Sequence, residues 1–217
     1  FPAFCTGVDF AGVVQQSGFL QLRANDRKTD DNAGQIVVLI EVKNSGHIPS
    51  PTIAVASIEK VSFRKPVIAS GFYQGGAQYS FAPSAIVDGQ TAELSCTLGI
   101  EKGNTYWLLP DRQTGWVQVD LEQTYLITRI RWLNTHNGDC GDRATTSFHI
   151  AISNTGVFKG EEVVVHKGRM EFSKTPAFQE IILSNPIVAR YVRFYVDDYY
   201  DWGGGLNELE VYAIANR

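Results

Sequence analysis

The chain has 217 residues, 44% hydrophobic and 19% charged, a composition that supplies a packed core and argues against disorder. A formal net charge of −4 leaves no basic footprint for nucleic acid or an anionic membrane surface. No apolar run approaches the roughly 20 residues a bilayer span needs.

From the N-terminus, Phe1 stands where an initiator Met would be. The expectation is a processed mature chain or a piece of a longer one, with any signal peptide already gone. Residues 18–23, 35–42 and 52–58 read as strands, the first two flanking a polar loop with Asp26, Arg27, Lys28, Asp30 and Asp31. A compositional seam follows at residues 61–66. About 65 residues is marginal for an independent all-β domain. Residues 1–65 are therefore expected to be an additional N-terminal β segment or partial domain, and 66–217 a domain of their own.

Beyond the seam the apolar period is two. Val117, Val119 and Leu121 share a face; so do Phe148, Ile150 and Ile152, then Val192, Phe194 and Val196, and finally Leu209, Val211 and Ala213. Each run is short and bounded by Gly, Asn, Asp, Ser or Pro, and no segment sustains a 3.6-residue period. This predicts an all-β antiparallel sandwich with little helix.

Between these strands lie two stretches with the composition of recognition loops. Residues 134–143 pack His136, Asn137, Asp139 and Arg143, with further Asn and Asp, into ten positions. Such side chains supply the paired donors and acceptors that vicinal hydroxyls require, although Asn-Gly is equally an ordinary turn sequence. Residues 197–205 set Tyr199, Tyr200 and Trp202 in an acidic, glycine-rich setting. Flat faces with polar tips on a turning backbone suit stacking on a sugar ring, with Trp107 available to complete the platform or to plug the end of the sandwich. Arg190 and Arg193 read as structural partners of a cross-strand carboxylate such as Asp120 or Glu210, and His149 as a surface residue.

Cys5, Cys96 and Cys140 have no Cys-x-x-Cys spacing, which argues against a zinc site. Two readings stay open: a disulfide, with Cys96 and Cys140 as candidates, in a secreted or cell-surface chain, or three buried thiols. No Gly-x-Ser-x-Gly, His-Glu-x-x-His or phosphate-cradling glycine loop occurs, so the chain is not expected to be an enzyme.

From about residue 66 to 213 the chain resembles the discoidin, or coagulation factor 5/8 type C, family, which overlaps the galactose-binding-like carbohydrate-binding modules. An ordered set of motifs carries the resemblance. Ile68 to Tyr73 is similar to the opening strand, Ala85-Ile86-Val87-Asp88-Gly89 to the Asp-Gly loop, and Thr105-Tyr106-Trp107 to the Thr-x-Trp element. Trp116 to Leu121, Arg190 to Phe194 and Asn207 to Tyr212 resemble later strands.

The resemblance implies a jelly-roll β-sandwich with binding loops at one end. It also implies a galactose-like glycan or glycoconjugate as ligand and a structural Ca²⁺ near Asp88 and Glu208, with Thr105 and Asn207 adding oxygens. Other functions on this fold include protein interaction within an extracellular assembly and service as an accessory domain of a glycan-active enzyme. Partners of that kind would be other domains or an oligomer. One departure is local: residues 90–103, carrying Cys96, intervene between the Asp-Gly and Thr-x-Trp elements.

Overall fold

Alternating apolar side chains bury one face of a strand, and the core follows that alternation. Val117, Val119, Leu121, Ile150, Val192, Phe194, Leu209, Val211 and Ala213 are all fully buried. The computed structural model describes residues 57–75, 79–97 and 104–214. The strands expected at residues 18–23 and 35–42, most of that at 52–58, and Cys5 lie outside them.

In chain order the strands are β1 (Ile58–Lys60), β2 (Val67–Ala69), β3 (Gln74–Gly75), β4 (Tyr79–Ser80), β5 (Trp107–Leu108), β6 (Gly115–Leu133), β7 (Arg143–Ser153), β8 (Val163–Arg169), β9 (Gln179–Asp201), β10 (Gly205–Leu206) and β11 (Glu208–Ile214). Among the described residues the only helical element is a 3₁₀ turn at Pro83–Val87. All pairings between these strands are antiparallel, in the order β1-β11-β6-β9-β7-β8 with β2 on β6, beside the ribbons β10-β5 and β3-β4.

Two long strands serve both layers. The first half of β6, to Asp120, pairs with β2 and with the second half of β9; the remainder pairs with β11 and with the first half of β9. The register breaks between Asp120 and Tyr125, where Glu122 adopts a left-handed φ of 68° and its N–H donates to Asp120 Oδ1 at 2.7 Å. A bulge of this kind lets one strand turn the corner of a sandwich. The motif from Trp116 to Leu121 is thus the first part of one element of 19 residues.

The seam at 61–66 is part of the sandwich. β1 pairs with β11, Val61 joins the core, and Ser62 Oγ donates to Leu209 O and accepts from Val211 N. The β-sandwich therefore takes in residues N-terminal of 66.

The arginines of β9 divide. Arg190 binds Asp120 through Nε at 2.7 Å and Nη2 at 2.8 Å, as a cross-strand pair should. Among the described residues Arg193 meets no carboxylate. It donates to Gln118 Oε1 and lies between the rings of Trp116 and Phe158, 3.9 and 3.8 Å from their centroids. Glu210 instead holds Lys60 and Arg131.

Candidate functional site

Backbone hydrogen bonds zip three connections together at the end of the sandwich where β9 finishes and β7 begins. Trp202 N donates to Asp142 O, Arg112 N to Trp202 O, Ala144 N to Gly203 O and Leu109 N to Gly204 O. The acidic stretch from Asp197 to Asp201 is the end of β9 rather than a loop, so the expected long recognition loop shortens to the turn at 202–204. Gly205 is required by packing, whereas at Gly203 a side chain would press only on the end of Arg143. A Cβ on Gly203 would meet Arg143 Nη1 at 2.9 Å, and one on Gly205 would collide with Trp107 O.

The aromatic candidates separate by depth. Trp107 is fully buried, with Nε1 donating to Gly71 O at 3.0 Å, so it plugs the sandwich and offers no platform. Trp202 is 42% exposed and Tyr200 41%. The Arg112 guanidinium lies 4.8 Å from the Trp202 ring centroid, and Tyr200 stacks on Phe172 at 4.3 Å. Two flat hydrophobic surfaces thus stand at one rim.

Arg143 was expected to contact ligand and is buried instead. Its guanidinium packs 4.5 Å from the Tyr73 ring centroid, donates to Leu109 O at 3.5 Å and pairs with Asp111. It acts as the floor that fixes Asp111, whose side chain stays 45% exposed. Asp111, Arg112 and Phe172 went unnoticed in the sequence. The Pro110-Asp111-Arg112 turn between two strands was the available signal, and nothing local tied it to Trp202.

The loop at 134–142 is bound to the inserted segment. Asn137 is buried at a left-handed φ of 66°; its Oδ1 accepts from Tyr106 Oη and its Nδ2 donates to Asp142. Asp139 is exposed but committed to the insertion, accepting from Ser95 Oγ at 2.8 Å and Cys96 N at 3.0 Å. The Ser95 hydroxyl, with those backbone donors, holds its carboxyl below the ordinary range. A disulfide joins Cys96 to Cys140, Cα–Cα 5.9 Å. Among the expected ligand residues of this loop, His136 is partly accessible, its side chain being 16% exposed. His149, by contrast, stacks on Tyr195 and pairs with Asp197 at 2.8 Å on the sheet face.

The residues expected to hold a cation are Asp88, Thr105, Asn207 and Glu208. The Glu208 carboxylate is buried at 2% exposure and accepts from Gly89 N. Burial pushes its pKa up to about 8; Asp88 and Glu210 add repulsion, while Gly89 N–H and Lys60 oppose the rise. Asp88, its own carboxyl raised by burial, caps the turn through Gln90 N at 2.7 Å. Asn207 is fully buried and its Oδ1 has no hydrogen-bond partner among the described residues. Thr105 is also buried, its hydroxyl donating to Ala92 O at 2.7 Å. Among the described residues Glu208 makes no ion pair and Asn207 Oδ1 is orphaned; carboxylate and amide oxygens are the donor types that Ca²⁺ takes. Thr105 and Asp88 are partly committed to the chain.

The F5/8 type C domain matches residues 66–211. No curated protein sequence matches the chain. Among solved structures, chitosan-binding module 1 of a chitosanase/glucanase from Paenibacillus sp. IK-5 superposes with a TM-score of 0.53 at 18% identity, covering 71% of this chain and 99% of that one. A family 32 carbohydrate-binding module of C. perfringens NanJ, solved with galactose, gives 0.51 at 17% identity over 72% and 99%. An f-lectin from striped bass (Morone saxatilis) serum gives 0.54 at 18% over 72% and 49%. At identities this low the superpositions show a shared fold alone.

Proposed function

Because the chain belongs to the F5/8 type C domain family, we propose that it is a non-catalytic carbohydrate-binding module that takes a galactose-like or related glycan at the rim holding Trp202, Asp111 and His136. The carrying observation is Trp202, a large aromatic left 42% exposed beside a fixed carboxylate and guanidinium. A pyranose presents a patch of C–H groups to such a ring, while Asp111 and Arg112 supply an acceptor and donors for its hydroxyls. The solved relatives named above include modules that bind chitosan and galactose, which supports the ligand class. Burial of a single sugar is small, so affinity per site is expected to be weak, with avidity coming from neighbouring domains or oligomers.

The Cys96–Cys140 disulfide supports an extracellular or cell-surface location. A structural Ca²⁺ would be held by the carboxylates of Glu208 and Asp88 with oxygen from Asn207 and Thr105, neutralising the buried charge and fixing the Asp-Gly loop.

A second reading, an accessory interaction module of a surface assembly, draws on the internal commitments of Asn137, Asp139 and Arg143. A glycan array probed with the full chain, with and without calcium, decides between them. Binding that Trp202→Ala abolishes is the result expected; no binding in either condition overturns the glycan reading in favour of the second.

A further inference from the structure

We propose that Glu93, in the inserted segment, is a positioning residue that fixes His136 in the Nδ1–H tautomer and so offers Nε2 to the ligand as a hydrogen-bond acceptor. This rests on the glycan reading of the rim above.

The Glu93 carboxylate is buried, its side chain 2% exposed, and its orientation is set from several sides. It accepts from His136 N at 3.1 Å and Gly138 N at 2.7 Å, and Asn207 Nδ2 approaches at 3.4 Å. Nδ1 of the His136 ring is buried and lies 3.2 Å from Glu93 Oε2, off the hydrogen-bonding line. A bare Nδ1 lone pair this close to a carboxylate oxygen, shielded from water, would be repelled by its charge, whereas an N–H dipole there is attracted. Of the two neutral tautomers the one with its proton on Nδ1 is therefore favoured, and it carries its free lone pair on Nε2. Among the described residues Nε2 makes no hydrogen bond, and His136 retains access to solvent.

The same segment clamps the loop that bears His136. Leu94 O accepts from Tyr106 Oη and sits where a Cβ on Gly138 would be, and Ser95, Cys96 and the disulfide hold Asp139 and Cys140. The insertion thus does two things at once: it fixes the backbone of residues 136–140 and it selects which hydrogen-bonding role the imidazole presents. A tautomer locked as an acceptor favours a ligand hydroxyl that donates at that position, and disfavours an analogue with an ether oxygen there.

The test uses the full chain with the variants Glu93→Gln, His136→Ala and the double substitution. Long-range ¹H–¹⁵N correlation of the imidazole reads the tautomer without any ligand. Titration with the strongest array glycan reads affinity, and thermal melting confirms folding. The proposal expects Nδ1–H in the parent chain and a move towards Nε2–H in Glu93→Gln, whose amide can donate to Nδ1. It further expects an affinity loss of about tenfold in each single variant and no additional loss in the double variant. An Nε2–H ring in the parent, an unchanged tautomer in Glu93→Gln, or additive losses overturns the assignment of Glu93 while leaving the glycan reading standing. A parent chain that binds no glycan removes the glycan reading itself, whatever the tautomer.

Discussion

At the scale of single residues, two tryptophans that both stood as candidates for a sugar platform do opposite work. Trp107 is enclosed by the core and Trp202 stands at the rim. Trp107→Ala should cost about 3–5 kcal/mol by opening a cavity, whereas Trp202→Ala should cost no more than about 1 kcal/mol and remove glycan binding. Denaturant unfolding paired with a binding titration checks both, and a reversed order would refute the assignment of depth. Glu208 gives a second test. Its folded pKa of about 8 lies above the ordinary carboxylate value, so between those values the folded state binds more protons than the unfolded one. Without calcium, the Glu208 contribution to stability should be full below about pH 4.5 and be lost as pH rises through 8, by an amount on the order of a few kcal/mol. Glu208→Gln should flatten that slope in melts taken across the range.

At the scale of elements, the insertion acts as a strap across the recognition loop. The disulfide closes a span of 44 residues, for which chain-entropy reasoning gives about 4 kcal/mol. Reduction, or paired Cys96→Ser and Cys140→Ser substitution, should lower the melting temperature and weaken glycan binding together. Loss of neither would mean that Glu93, Ser95 and Asp139 hold the segment unaided. The strap was visible in the sequence only as an interruption between the Asp-Gly and Thr-x-Trp elements. Its contacts join residues more than forty positions apart, and no local pattern encodes such pairings.

At the scale of the whole molecule, the bend in β6 and the pairing of β9 with both neighbours bring chain segments from three connections to one end. A ligand-free rim of this kind should gain rigidity from a bound cation. Added Ca²⁺ should raise the melting temperature with the logarithm of its concentration, as expected for a ligand that binds only the folded state. Chelation or Glu208→Gln should remove the increase; a calcium-independent melt would exclude the cation at Asp88, Asn207 and Glu208.

The alternation of Val117, Val119 and Leu121, and of Val192, Phe194 and Val196, was enough to determine strands and core face, because a period of two leaves one side for burial. The motif order likewise carried the family. Composition also marked Trp202 and His136 as candidates. Tertiary structure alone decided that Trp107 and Arg143 point into protein, that Asp111 and Arg112 stand beside Trp202, and that Glu93 faces His136. The reason is physical: strand periodicity records which side of a sheet a residue occupies, while exposure at a loop rim depends on which distant segments fold over it.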